Sequence, residues 1–508
     1  MDARMPPGRI RRVCGFRWLC SGGAHDAEGG WVDGTDGIDR SRRSPMPAPR
    51  RLRRLFLLLA LLVAPLLVAP EAFAVSQPCN AEPTWISHPN PPAEVPDGAN
   101  AEFCQFYQFA WQWFLALVKP SADGTSRVFQ VPANYPLLQA TGTDSCAEGV
   151  PAEAMFVRTV KPMAEDTPFI LPERTGQAGG GATIFDQQGN VVFYEIRFSR
   201  TLCNVGQIQA SPNFPPGTTE IKTAWRIITP AERGSYFWIE ANVDGAPGNE
   251  LLGLVGFHLA IATALHPEFV WATFEHRSNL PECNAASTAP AEGWSFTSAS
   301  CASQLPTQPP ACQFNTAAPS KNLTGTPSEL CRVYHDGTDL TDDKGAENIA
   351  IVDGLNSQLH GFLAGLGSDD PMAVWQNYMN IGALWESDIK QPSQIISNQR
   401  GSIRLANAVM ETTFQSVDPS KSFVSNCFGC HNYTTPASNT LPSSGLSHIF
   451  DDIAGGQCRN LDVNAGPIWN NDDAQQKCVQ TCKDKGGWSG NWTTTVQGRS
   501  SVCGCCGG

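Results

Sequence analysis

Apolar residues recur along this chain in two rhythms, and each predicts a different kind of element. Phe103-Cys104-Gln105-Phe106-Tyr107-Gln108-Phe109-Ala110-Trp111-Gln112-Trp113-Phe114 spaces its aromatics for one face of a helix, a pattern that points to core packing. Five segments then read as strands: Val191–Phe198, Glu220–Ile228, Ser235–Val243, Leu251–Ala262 and Phe269–His276. Many of their positions alternate with period two, and Gly and Pro turns separate them, as in an antiparallel sheet or sandwich. Residues 281–345 are rich in Pro, Ser, Thr and Ala and hold four cysteines, which predicts a stapled surface excursion. Helical spacing returns over Ile349–Leu366, Pro371–Trp385 and Ser402–Val417. A turn-rich connector, Pro436–Ser447, precedes a small C-terminal unit. The expected class is therefore α+β: a β-rich body over 75–445, helices leading into Cys427–His431, and a disulfide-stapled unit over 456–508.

The N-terminal pattern is of another kind. Arg50, Arg51, Arg53 and Arg54 precede an apolar run from Leu55 to Pro70, and Ala72-Phe73-Ala74 supplies a small-x-small cleavage site. Pro65 breaks the run, which is too short for a good membrane span. Residues 46–74 thus read as an export signal. The aperiodic prefix 1–45 reads as an over-extended start, with translation beginning at Met46.

Charge and cysteine content sharpen this picture. Setting aside 1–74 removes 12 Arg and 7 acids and leaves 23 basic and 41 acidic residues, a net charge of −18. Such a surface repels nucleic acid and anionic lipid, so neither is an expected partner. Eight cysteines lie between Cys79 and Cys331 and six between Cys458 and Cys506. Both sets are even, as expected for disulfides confined to separate units in an oxidising compartment, periplasmic or secreted.

The two remaining cysteines stand in Cys427-Phe428-Gly429-Cys430-His431, a C-x-x-C-H motif. That spacing attaches one c-type haem covalently: two thiols on one turn meet the porphyrin vinyl groups, and His431 becomes the proximal iron ligand. A redox C-x-x-C, half a zinc site or two structural cysteines are the plainer readings. Export favours haem, since covalent attachment takes place outside the cytoplasm. No Met follows Met410, so a distal ligand must come from upstream or from His448, or be absent. Met410, His258 and His276 are the candidates, each also readable as core. Glu275 adjoins His276, but neighbours on a strand face opposite sides and do not share one site.

Two resemblances extend these readings. Phe109–Leu117, Glu220–Trp225, Leu254–His258, Trp271–His276 and the Met410 segment resemble a group of large bacterial secreted proteins called cytochrome c family proteins. That resemblance implies a haem c and little else. Ala465–Gln475, Gly487–Thr494 and Ser501–Cys505 resemble the mannan-binding lectin family, which implies recognition of oligomannose with its chitobiose core. The chain carries one such repeat, where the defining lectin has two, and six cysteines that the lectin lacks. The residues expected to meet sugar are Trp469, Asn470, Asp472, Gln475, Trp488, Asn491, Trp492 and Thr493. Aromatic faces pack on sugar C–H faces while amide, carboxylate and hydroxyl groups bond the hydroxyls.

Three functions compete at this point. One is extracytoplasmic electron transfer with an unknown redox partner and a glycan-binding tail. Another is a haem peroxidase or oxidase delivered to glycan, favoured by the large body though no distal His-Arg pair is recognisable. The third is a lectin-like adhesion protein with a structural haem.

Overall fold

The computed structural model describes residues 79–138 and 183–505 with short gaps, together with Cys146; the longest gaps are 416–425, 432–445 and 454–460. The chain divides into two units, Met1–Val75 and Ser76–Gly508. The prefix and the export segment therefore lie outside the described residues, as does His448. No helix among the described residues is long and apolar enough to cross a membrane.

The body is built on one antiparallel sheet of seven strands. These are β1 (Phe193–Phe198), β2 (Thr219–Ile227), β3 (Trp238–Asn242), β4 (Asn249–Ile261), β5 (Val270–His276), β6 (Tyr378–Glu386) and β7 (Gln399–Gly401). Their order is β1-β2-β4-β5-β6-β7, with β3 pairing the start of β4. All five strands expected from the alternation appear, shifted by a few residues at most.

Two helices, α1 (Phe103–Val118) and α2 (Gly345–Ala364), contribute to the core on one face of this sheet. A capping box between Glu102 and Gln105 starts α1. Its aromatic stripe meets the sheet directly: Phe114 stacks on Phe274 of β5 at 4.0 Å between ring centroids, and Phe106 stacks on Trp385 of β6 at 3.7 Å. Each such buried ring stabilises the fold by about 1.5–3 kcal/mol. Val352, Leu355, Leu359 and Leu363 give α2 its apolar stripe, and the Tyr107 hydroxyl donates to Asn348 Oδ1 at 2.7 Å, tying the two helices together.

The opposite face carries two further apolar clusters. One gathers Phe198, Trp271, Leu384, Phe428, Ile449 and Phe450, and the other includes Tyr194, Val255, Leu280, Phe296, Leu330 and Met410. With both faces covered, β5 is buried at all seven positions. A strand buried on both sides loses its period-two signal.

The next strand is almost as deeply buried, and no Gly or Pro separates it from the turn before, which accounts for one correction. Residues 371–385, expected to be helical, form a short 3-10 turn (Ala373–Asn377) and then β6. The expected helix over 402–417 is also not found among the described residues, which form turns and irregular chain. There Asn407 spends its side chain on Thr273 Oγ1 and the Phe274 carbonyl, while Glu411 accepts from the Asn407 N–H, bonds that compete with a helical ladder. Among the described residues no long helix leads into the C-x-x-C-H motif. It sits on a single-turn helix, α3 (Cys427–Cys430).

The eight cysteines of the body form Cys79–Cys104, Cys146–Cys203, Cys283–Cys331 and Cys301–Cys312. The last two staple the 281–345 excursion as expected, though it is not purely superficial, since Phe296 and Leu330 are fully buried against the sheet.

The C-terminal unit is a three-stranded sheet with one helix. Strands β8 (Leu461–Gly466), β9 (Trp488–Val496) and β10 (Ser500–Cys505) take the order β8-β10-β9, and α4 (Asn471–Cys482) connects β8 to β9. Cys478–Cys503 and Cys482–Cys505 bolt the helix to the central strand. So short a unit buries little apolar surface and needs such staples. Cys458 and Cys506 lie outside the described residues.

Candidate functional site

Asn426 fixes where the C-x-x-C-H motif sits. As the N-cap of α3 its Oδ1 accepts the Phe428 N–H at 3.0 Å. Its Nδ2 donates to Gln399 Oε1 at 2.6 Å and to the Ile403 carbonyl at 2.7 Å. One side chain thus caps the motif's helix and clamps it to the edge strand β7 and the turn that follows. Phe428 drives into the apolar cluster as its fully buried anchor. Cys427 and Cys430 are the first and last residues of that turn.

His431 closes the turn and is itself buried. Its Nδ1 donates to the Leu446 carbonyl at 2.8 Å, which puts the proton on Nδ1 and the lone pair on Nε2. A backbone carbonyl holding the outer ring nitrogen is the usual support of a metal-bound histidine. The ring also packs on Trp271 at 4.4 Å between centroids. The donor set therefore fits a haem c. Burial pushes the carboxyl of Glu220, on β2, up to about 7.

The three distal candidates separate cleanly. Met410 is fully buried in the cluster of Tyr194 and Val255, a different one from that of Phe428, and it presses on Gly256, where an added Cβ would come within 2.9 Å of its Cε. His276 commits both ring nitrogens to the fold: Nε2 donates to the Ser235 carbonyl at 2.9 Å and Nδ1 accepts the Ser278 N–H at 3.2 Å. Burial pushes its ring down to about 3, so it is neutral. Strand alternation also sets it on the face opposite Trp271 and Glu275. Glu275 bonds Arg332 at 2.6 Å, on the other side, so the two neighbours do not form a pair.

His258 pairs with Thr273 across β4 and β5, one diagonal step from Trp271 on the same face. Its Nε2 meets Glu411 Oε1 at 2.6 Å. Burial would raise the Glu411 carboxyl, but the charge and hydrogen bond of His258, with Lys222, hold it below the usual carboxylate range.

In the C-terminal unit the three tryptophans divide. Trp488 is buried in the mini-core with Ile468 and the disulfides, and Trp492 packs partly against it. Trp469 is 69 % exposed, and its ring lies near Gly498 in the β9–β10 turn, where an added Cβ would come within 3.6 Å of its Cη2. The turn around it is well braced. Asn470 caps α4 by accepting the Asp473 N–H at 2.8 Å, Asp473 Oδ2 accepts the Trp469 N–H at 3.1 Å, and Lys477 bonds Asp473 and the Pro467 carbonyl. Asn470 is therefore a helix cap, Gln475 is half-buried on α4, and Thr493 is exposed on β9. The side chains of Asp472 and Asn491 lie outside the described set.

Sequence reasoning missed the clamp by Asn426 and the packing of Trp271 on His431. An Asn directly before a helical turn was a readable cap signal; the pairing of residues 271 and 431 had none. Residues 471–505 match the family model described as Mannan-binding protein. No curated protein and no solved structure matches the chain. The C-terminal unit is thus similar to the mannan-binding protein family over α4, β9 and β10, the helix being joined to β10 by both disulfides.

Proposed function

We propose that this protein is an exported c-type cytochrome with a C-terminal carbohydrate-binding module, working in electron transfer outside the cytoplasm. The observation that carries the redox half is the buried His431, held through Nδ1 by the Leu446 carbonyl at the end of a C-x-x-C turn. Cys427 and Cys430 would hold the haem through thioether bonds and His431 would ligate its iron, which supplies one-electron exchange between ferrous and ferric states. Asn426 orients the turn, and Trp271 and Phe428 keep water from the ring of His431. Of the distal candidates, His258 would be the one to test as a second iron ligand, and it would have to give up its bond to Glu411. The disulfides agree with an oxidising compartment, periplasmic or extracellular.

The glycan half rests on the family match over 471–505 and on Trp469, an exposed indole on a rigid turn that offers a flat apolar face to a sugar ring. A mannose-containing glycan is the ligand proposed, with Thr493 among the hydroxyls near it on the unit's surface.

An optical spectrum of the exported protein tests the first half. Expected is a reduced c-type band that survives acid extraction and does not shift with carbon monoxide. Absence of covalent haem would sink the cytochrome reading. A carbon-monoxide shift would open the second axial site and turn the assignment towards peroxide chemistry. Deleting residues 456–508 should abolish mannan binding and leave that spectrum unchanged.

A further inference from the structure

Far along the chain from the C-x-x-C-H motif, a second group of polar side chains converges where the 281–345 excursion meets α2. His335 and Asp336 come from the short turn His335–Gly337, and Asp353 from α2. One ligand atom from each lies within 4.8 Å of the others. His335 Nε2 stands 3.1 Å from Asp353 Oδ1 and 3.4 Å from Asp336 Oδ2. Those separations are the edges of a coordination polyhedron: bonds of ~2.1 Å give ligand–ligand distances of about 3.0 Å in an octahedron and about 3.4 Å in a tetrahedron.

Asp336 is what raises this cluster above an acidic patch. The residue is wholly buried, and neither carboxylate oxygen accepts a hydrogen bond. A buried carboxylate that accepts no hydrogen bond is costly, and folds retain one only where a proton or a cation answers it; here the His335 ring faces Oδ2 at 3.4 Å without hydrogen-bonding it. The nearest guanidinium does not: Arg332 is spent on Glu275 at 2.6 Å and on Glu282 at 2.5 Å. Glu282 in turn stands 3.4 Å from His335 Nδ1. A carboxylate behind the outer nitrogen of a histidine, with two further carboxylates before the inner one, is the support that metal-binding histidines have.

We propose that His335, Asp336 and Asp353 form a binding site for a divalent transition-metal cation of the zinc class, with Glu282 and Arg332 orienting the histidine from behind. Binding is a metal-for-proton exchange: the proton on His335 Nε2, now shared with Asp353, passes to solvent and its lone pair turns to the cation. One imidazole nitrogen among carboxylates selects zinc or a neighbouring transition ion over calcium, which takes six to eight oxygens. His335 and Asp353 are partly exposed, so the cation has an entry path and a position left for water. Loaded, the site pins the excursion to α2, and with it the segment bracketed by Cys283–Cys331.

The test is calorimetric titration of zinc chloride into the exported full chain after chelator dialysis, alongside Asp336→Asn and Asp353→Asn. Asp353 is 53 % exposed at its side chain, and Asn tolerates the left-handed backbone of residue 336, so both variants fold. Expected is one zinc per chain in the wild type, with affinity lowered at least tenfold in each variant. Zinc should raise the wild-type melting temperature and leave that of the variants unchanged. Equal uptake and equal melting shifts in all three proteins, or no uptake by the wild type, would overturn the site. Uptake of calcium in preference to zinc would overturn the cation class.

Discussion

Replacing Asn426 by Ala removes three hydrogen bonds at once, and the structure sets what each is worth. The cap on the Phe428 N–H contributes about 1 kcal/mol. The two bonds from Nδ2, a buried one to Gln399 Oε1 and a partly buried one to the Ile403 carbonyl, contribute about 1 kcal/mol apiece. The expected loss is about 3 kcal/mol of the stability of the motif region, and with it a lower yield of covalent haem. Asn426→Ser keeps a capping oxygen but no amide, so it should recover only the first of these contributions and lose about 2 kcal/mol. Asn426→Asp also keeps a capping oxygen, but it turns a carboxylate on two acceptors, so it should fall below Ala. Urea unfolding of the disulfide-intact protein, followed by circular dichroism, ranks the four. If Asn426→Ala unfolds within about 0.5 kcal/mol of the wild type, the clamp is not what holds the motif in place, and the order wild type, Ser, Ala, Asp has no basis.

Three further outcomes follow from the same coordinates. Burial, and then the neighbouring Glu268, push the Glu386 carboxyl up to about 9, so the folded chain holds a proton there that the unfolded chain releases near 4.5. Stability should fall as pH rises from about 4.5 to 9, and Glu386→Gln should flatten that limb and raise the melting temperature at pH 8. Trp469→Ala should weaken mannan binding on the order of tenfold, a loss of about 1.4 kcal/mol, without changing the melting temperature, because the exposed ring supports no core; unchanged binding by glycan array would move the sugar site elsewhere. Joint replacement of Cys478 and Cys503 by Ser opens a loop of 25 residues and should cost the C-terminal unit about 2–4 kcal/mol, read as earlier proteolysis of that unit alone.

The sequence by itself determined the parts whose signal is local. Alternation placed β1 to β5, aromatic spacing placed α1, cysteine parity confined the body's disulfides to the body, and C-x-x-C-H marked the motif. It misread β6 because no Gly or Pro separates the strand from the turn before it, so the whole run reads as one helix, and it misread 402–417 because Asn407 and Glu411 look helical until their side chains are seen bonding the backbone. Everything that joins distant segments was decided only by the tertiary structure. Trp271 meets His431 and Leu446 holds its Nδ1 because the sheet brings strands 271 and 384 under the motif's turn. His276 lies on the other face because adjacent strand residues point apart, a rule that sequence supplies without saying which face matters. Trp488 is core and Trp469 is surface by a choice of strand and turn, made only when the disulfides close the unit. The carboxylates about His335 are ordinary acids in sequence. Their proximity, and the burial of Asp336 without a donor, come from packing a loop against a helix, a long-range event that no local pattern encodes.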